Sequence, residues 1–368
     1  MKIEVNGVRY SNFLEATADV RIDTLSNTFS FSSGPGGNGS LPFGMGSECA
    51  VYVDDERIIT GHIEVISGRG SANDHQIDII GRDLTGDIVD SSIGSLTDIN
   101  APIKLKRIVE IVIQHIGSDI DVVDLTGVSY NVEDIIAPEP GDNAFTFLEK
   151  IARKKNVILS SNSDGDVVIQ RAEGVDVKAK LVNRIDGKGN NIISYSFTYD
   201  DTGRFNRYEA IGNSNMNILA LLGKQQPKKV VDQRGFITDR RMREGRQLII
   251  ASENPGSSPN MKERAEWEAN IRKARSRVYS ATLSGYRNQA GELWTPNTIV
   301  QVIDENAEIN DRMLINAVTY RLDPDSGRTT ELNLINKNAY SLEVAEPTSE
   351  KAEFNIEAAL ARANQEPT

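Results

Sequence analysis

Hydrophobic and polar residues alternate through residues 1–95, and a period of two predicts short antiparallel strands. Ile3 and Val5 lead into Asn6-Gly7, a pair that tolerates the positive φ of a tight hairpin turn, and Val8 and Tyr10 follow. Ala18, Val20 and Ile22 alternate with Asp19, Arg21 and Asp23, while Phe29 and Phe31 sit two apart. Ala50 to Val53, a polar turn at Asp54 to Arg57, a long strand from Ile58 to Ile66 and a strand from His75 to Ile80 complete the unit. Short strands parted by turns point to a barrel or sandwich rather than βαβ units. The Gly-rich stretch Ser33 to Ser40 interrupts them. A phosphate-binding loop needs a helix whose N-terminal amides receive the anion, and Leu41-Pro42-Phe43-Gly44 starts none, so a long surface loop is expected.

The period changes in residues 96–175. Leu105, Ile108, Val109, Val112, Ile113 and Ile116 make a helical stripe, with Pro102 before it and Gly117 after it. A second helix follows Pro140-Gly141-Asp142, turning Phe147, Leu148, Ile151 and Ala152 inward. It leads to a hairpin, Val157 to Leu159 and Val167 to Ile169, turned at Asn162 to Gly165. This is a small α+β domain. Strands return in 176–212 and 278–340 and form a second β unit. Between them, 213–277 reads as an insertion: a basic span of little periodicity, an apolar patch at Ile218 to Leu222, and a helix. Residues 341–368 form a tail whose large apolar residues are Phe354, Ile356 and Leu360. The fold class is therefore α+β and β-rich.

Composition narrows the setting. The 368 residues are 39% hydrophobic and 26% charged, an ordinary globular balance. No apolar run approaches the ~18 residues that span a bilayer, and the N-terminus goes straight into alternation, so neither a membrane span nor a targeting signal is expected. One cysteine, Cys49, fits a reducing cytoplasm and a small core residue. The net charge of −12 is uneven: residues 1–100 hold 6 Lys/Arg and 15 Asp/Glu, residues 224–287 hold 15 and 7. Such segregation suits contact surfaces between subunits or partners.

Candidate chemistry is sparse. His62, His75 and His115 are scattered. His62 and His75 could meet across the first sheet, yet no Cys or carboxylate at ligand spacing joins them. Asn162-Ser163-Asp164-Gly165-Asp166 has the look of a calcium loop but lacks the terminal Glu and sits in a hairpin. No Gly-x-Ser-x-Gly, Walker or His-Glu-x-x-His motif occurs. Sparse aromatics in the basic span and the acidic total disfavour a nucleic-acid binder. No catalytic residue, metal or cofactor is expected.

Three stretches carry a resemblance. Gly81-Arg82-Asp83-Leu84-Thr85-Gly86-Asp87 closes the first β unit; Ala265-Glu266-Trp267-Glu268 lies in the helix of the insertion; Gly285-Tyr286 and Gly291-Glu292-Leu293-Trp294-Thr295-Pro296-Asn297 form a corner. These segments, and Leu314 to Tyr320 beyond them, resemble in residue and order the baseplate hub proteins of contractile-tailed phages such as Mu, over residues 1–340. The resemblance implies two antiparallel β-barrels like the tail-tube subunit, in 1–95 and in 176–212 with 278–340. It implies a homotrimeric, pseudo-hexameric ring joining the hexameric tail tube protein to the trimeric central spike protein. Other baseplate proteins and the tape measure protein are the further candidate neighbours. DNA would pass through the lumen without specific binding, and an acidic first barrel lining that lumen would repel it. The setting is the virion tail baseplate, assembled in the host cytoplasm. The role is structural; the alternative is a tail-associated enzyme that degrades cell wall. Trp267, Trp294 and Pro296 are the expected structural residues: Trp267, Ile271, Ala274 and Val278 form a stripe able to pack on the barrel, and Pro296 keeps Thr295 extended beneath a buried Trp294.

Overall fold

The structure is a computed structural model that describes residues 1–33, 42–71, 75–94, 96, 102–132, 138, 141–155, 157–212, 233–252, 258–337 and 339. The Gly-rich stretch, the Ile218–Leu222 patch and the C-terminal tail lie outside the described residues. The described chain forms two compact units, one from Met1–Phe197 with Tyr279–Lys337 and one from Thr198–Val278.

The first unit begins with β1 (Lys2–Val5), β2 (Val8–Tyr10), β3 (Glu15–Arg21), β4 (Thr28–Ser33), β5 (Glu48–Val53), β6 (Glu56–Gly70) and β7 (His75–Asp83). Asn6 and Gly7 take φ of 53° and 76°, as a tight β1–β2 turn requires. A helical region follows: α1 (Gly86–Asp90), β8 (Ser92–Ile93), β9 (Ile103–Lys104), α2 (Leu105–His115), β10 (Val122–Asp124), β11 (Asn131–Val132), β12 (Asp142–Asn143), α3 (Ala144–Lys154), β13 (Ile158–Ser161) and β14 (Val167–Gln170). The α2 stripe is buried from Leu105 to Ile113. Gly117, at φ 78°, ends the helix: its N–H donates to the Gln114 carbonyl, and that of Ser118 to the Ile113 carbonyl, both at 3.1 Å. Asn143 caps α3 by accepting from the Thr146 N–H at 3.0 Å. β10 pairs in parallel with β14, a three-residue strand too short to announce itself by period.

The unit ends with β15 (Val175–Asn183), β16 (Ile192–Tyr199), β20 (Arg277–Ser284), β21 (Thr298–Asp304), β22 (Ile309–Asp323) and β23 (Gly327–Asn336), while β17 (Arg207–Gly212), β18 (Gln233–Thr238) and β19 (Gln247–Ser252) belong to the second unit. Thirteen strands share one sheet, in the order β16-β20-β23-β22-β3-β4-β7-β6-β5-β1-β2, with β21 on β22 and β15 on β21. The strands of the two expected tail-tube-like β-barrels thus lie in a single sheet. The β22–β3 ladder, from Ala317↔Arg21 to Leu322↔Ala16, joins the halves, and no closed barrel forms among the described residues. The cause is the length of β22. Residues 309–314 pair with β21, residues 317–322 pair with β3, and the register with β23 shifts between Ile315 and Ala317, where the partner changes. In the second half, β15 and β16 end the strand order and meet at their turn. There the Asn191 N–H donates to the Val182 carbonyl (3.1 Å), and its side-chain oxygen accepts from the Val182 N–H (2.8 Å).

One apolar core serves both halves. Ile3, Phe29, Phe31, Val51 and Ile63 are continuous in it with Leu181, Tyr279, Val300, Val318 and Leu334. Each such side chain contributes about 1.5–3 kcal/mol of burial. A separate core fills the helical region around Ile108, Val112, Leu148 and Ile169.

The second unit departs from the expected irregular insertion. β17 (Arg207–Gly212), assigned from sequence to the second β half, lies instead between β18 (Gln233–Thr238) and β19 (Gln247–Ser252), antiparallel to the first and parallel to the second. The long helix α4 (Ser258–Arg275) packs Met261, Ala265 and Ala269 onto Tyr208 and Ala210 of β17. Its backbone comes so near β18 that a Cβ on Gly235 would stand 2.1 Å from the Lys262 nitrogen. That glycine replaces the apolar residue that alternation would need, which hid the strand.

Candidate functional site

The segment Gly81 to Gly86 forms a socket between the first β half and the helical region. Gly81 leaves room for the Phe29 ring, since a Cβ there would lie 2.3 Å from Phe29 Cζ. Arg82 bridges Glu64, at 2.7 Å, and Asp90. Asp83 is buried, and its carboxylate accepts from the Asn27 N–H (2.8 Å), the Thr85 hydroxyl (2.7 Å) and the Ser161 hydroxyl. Burial raises its pKa above the ordinary carboxylate value, while those hydrogen bonds pull it down. Asn27 in turn donates to Ser161 at 2.8 Å.

The β13–β14 turn fits this socket. Thr60 donates to the Ser163 carbonyl at 2.8 Å, Arg57 pairs with Asp164, and Gly165, at φ 87°, lies against Leu84. Asn162 organises the turn by accepting from the N–H groups of Asp164 (2.9 Å) and Asp166 (3.0 Å). The stretch with the look of a calcium loop is thus a plug that fastens the helical region to β6 and β7.

Two further ties bind the β halves. Asp54, in the β5–β6 turn at φ 46°, pairs with Arg287 and Arg328 from the far half, each at 3.3 Å. Asn316 donates to Asp23 at 2.9 Å beside the β3–β22 ladder. Two arginines of the far half thus sit beside Asp54, which offsets part of the acidic excess of residues 1–100.

The corner from Gly285 to Asn297 packs Trp294 and Tyr286 into the shared core. Tyr320 donates its hydroxyl to the Trp294 carbonyl, Tyr286 donates to the Arg321 carbonyl at 3.1 Å, and the two tyrosine rings meet edge to face at 5.8 Å. Trp294 Nε1 is buried without an acceptor. Pro296 is half-buried and follows the exposed Thr295. Asn297, to which sequence reasoning assigned no role, does more. At φ 57° its side chain accepts from the Gly174 N–H (3.1 Å) and donates to Gln170 (2.9 Å) and to the Arg171 carbonyl (3.2 Å). It thereby fixes the passage from β14 to β15. Its signal was the Pro-Asn pair, since Asn tolerates the left-handed conformation.

Trp267 lies in the other unit. It is buried, with Arg264 over its ring at 4.9 Å, on the face of α4 opposite Met261, Ala265 and Ala269. The two expected Trp residues are thus in different units. The His residues do not converge: His62 sits opposite Arg82 and His75 opposite Gly70, at separate places on the β6–β7 ladder, and His115 is exposed at the end of α2. Cys49 is a core residue whose thiol is pushed up to about 12 by burial.

Comparison with known proteins follows this layout. Residues 1–83 match the model of the Mu phage baseplate assembly protein GpP-like N-terminal domain. Residues 85–171 match that of the baseplate hub protein gp44-like second domain, and 257–343 that of the Mu GpP fourth domain. The Asp83–Thr85 socket straddles the border of the first two. Baseplate hub protein gp44 of Escherichia phage Mu is 21% identical over 353 residues, 93% of this chain and 89% of that protein. The 43 kDa tail protein of prophage MuSo2 from Shewanella oneidensis superposes with a TM-score of 0.77 at 24% identity, over 92% of this chain and 99% of its own. A tail protein from Neisseria meningitidis MC58 gives 0.78 at 20%, over 92% and 97%. With successive hub-domain models matched in order around the socket and the Trp294 corner, this chain belongs to the Mu-like phage baseplate hub family, structural proteins of the tail baseplate.

Proposed function

We propose that three copies of this chain form the pseudo-hexameric ring at the centre of a contractile-tail baseplate. One face of the ring continues the hexameric tail tube, the other seats the trimeric spike, and DNA passes through without specific binding. The observation that carries this reading is the β3–β22 ladder. It holds two β halves of one chain in a common sheet, so that three chains bring six β halves to one ring. The domain plan that accompanies it has two tube-like halves, a helical region plugged into the first at Asp83, and a β17–β19 and α4 unit inserted in the second. The role is mechanical. Trp294, Pro296 and Asn297 hold the corner, and Trp267 holds the inserted unit.

Electron microscopy of the purified chain mixed with its tail tube protein tests the reading. Threefold rings stacked on tube hexamers are the expected result. Tube protein that assembles without recruiting the chain contradicts it. Sugar release from cell walls by the purified chain would favour an enzyme instead.

A further inference from the structure

The turn between β18 and β19 carries Arg240, Arg241, Arg243 and Arg246, and the end of α4 carries Arg272, Lys273 and Arg275, followed by Arg277. The loop Asp200 to Asn206 brings these two segments together. On one side, the N–H groups of Asn206 and Arg207 donate to the Arg246 carbonyl at 2.9 and 3.1 Å, and that of Asp239 donates to the Asn206 carbonyl at 2.7 Å. On the other, Arg272 donates to the Gly203 carbonyl at 3.1 Å, and the Asp200 N–H donates to the Ser276 carbonyl at 2.8 Å. The turn is also fixed from within. Arg204, its side chain 3% exposed, pairs with Asp201 at 2.7 Å and Asp239 at 2.6 Å. Asn206 donates to the carbonyls of Asp239 and Met242 at 3.1 and 3.2 Å. A turn held this way presents its side chains without a large ordering cost on binding.

The carboxylates at this end are mostly engaged. Asp201 and Asp239 hold Arg204, Asp200 accepts from the Thr202 N–H, and Glu268 holds Arg272. Glu244 is the remaining acid of the turn. Among the described residues, Arg240, Arg241, Arg243, Lys273 and Arg275 make no ion pair. The Lys273 ammonium is held below its ordinary range by burial first, with Arg241, Arg204 and Arg277 adding to the effect and Asp239 opposing it. The helix dipole favours cations at the end of α4, but it does not account for three unpaired arginines in the adjoining turn. Like charges gathered here oppose folding unless a partner answers them.

We propose that this basic end is a docking surface for carboxylates on a second copy of the chain. Residues 198–278 hold 16 Lys/Arg and 10 Asp/Glu, whereas the rest of the chain holds 25 and 43, so the acid-rich remainder of one copy complements the basic end of another. Guanidinium groups suit carboxylates through paired, parallel hydrogen bonds. Single-stranded nucleic acid fits less well, because the rings here are already covered: Tyr199 by Arg277 at 5.2 Å, Phe205 by Arg246 and Arg272 at 5.3 Å each. The inference rests on the ring reading and names a charged contact within it.

Sedimentation velocity of the full chain tests it, with Arg240→Glu, Arg241→Glu and Arg243→Glu combined, and with the same three positions changed to Gln. Circular dichroism establishes that each variant is folded. The wild type self-associates, and added salt weakens the association. In the Glu variant it is weaker by about tenfold or more, and the Gln variant falls between. Variants that associate like the wild type overturn the docking surface and leave the ring reading standing. A wild type that sediments as one chain at every concentration overturns both. If the variants lose affinity for duplex DNA but keep self-association, the surface serves nucleic acid and the proposal fails.

Discussion

Asp83 shows what one residue contributes and how little of it a sequence reveals. Its partners Asn27 and Ser161 lie 56 and 78 positions away, and no local pattern links them. Asp83→Ala leaves buried donors without an acceptor and costs about 1–3 kcal/mol for each, measurable by urea unfolding. The pH dependence has a definite sign. A carboxyl whose folded pKa is raised keeps its proton where the unfolded chain has lost it, so its contribution to stability falls as pH rises from 3.8 toward the raised value. Asp83→Asn, which does not titrate, flattens the urea midpoint across that window relative to the wild type. A wild-type midpoint that rises more steeply than the variant's contradicts the assignment. Trp294 permits a second comparison. Trp294→Ala removes a buried ring and costs about 3–5 kcal/mol, whereas Trp294→Phe costs less, because Nε1 has no acceptor to lose. Equal losses in the two variants would show that the indole edge has a role the corner does not explain. By contrast, turn residues were legible from local chemistry: Asn6-Gly7 and Gly117 take the positive φ that their types suggested.

At the scale of elements, period alone located α2, α3 and most strands of the main sheet, because each buries one face and exposes the other. It failed for β17 to β19. β18 gives up an inward side chain at Gly235 to let α4 approach, and β19 sets the outward Ile249, 60% exposed, between the partly buried Leu248 and Ile250. The Met261-Ala265-Ala269 stripe was overshadowed by Trp267 and Ile271 on the other side of the same helix. Close helix-to-sheet contact makes a direct prediction. Gly235→Ala forces backbone apart and destabilises the second unit by about 1–3 kcal/mol or more. Hydrogen exchange should quicken in residues 261–275 and stay unchanged in β3 and β22. Protection lost evenly over both units would mean that α4 packing is not what the glycine serves.

For the whole molecule, the sequence pattern yielded two β regions, a helical region and an inserted unit, but not the continuity of the sheet. A strand that changes partner midway, as β22 does between β21 and β3, leaves no periodic trace, since both partners ask for the same alternation. That shared strand makes the two halves one unit and gives the ring its proposed six-part surface from three chains. Ties such as Asp54 to Arg287 and Arg328 hold the same halves by charge. Replacing both arginines with Gln should lower stability by about 1 kcal/mol or less, an effect that salt masks, since these pairs are partly exposed. The central claim concerns assembly, and light scattering on the purified 40.5 kDa chain tests it most directly. A particle of three chain masses is the predicted result, and a single chain mass at every concentration would contradict it.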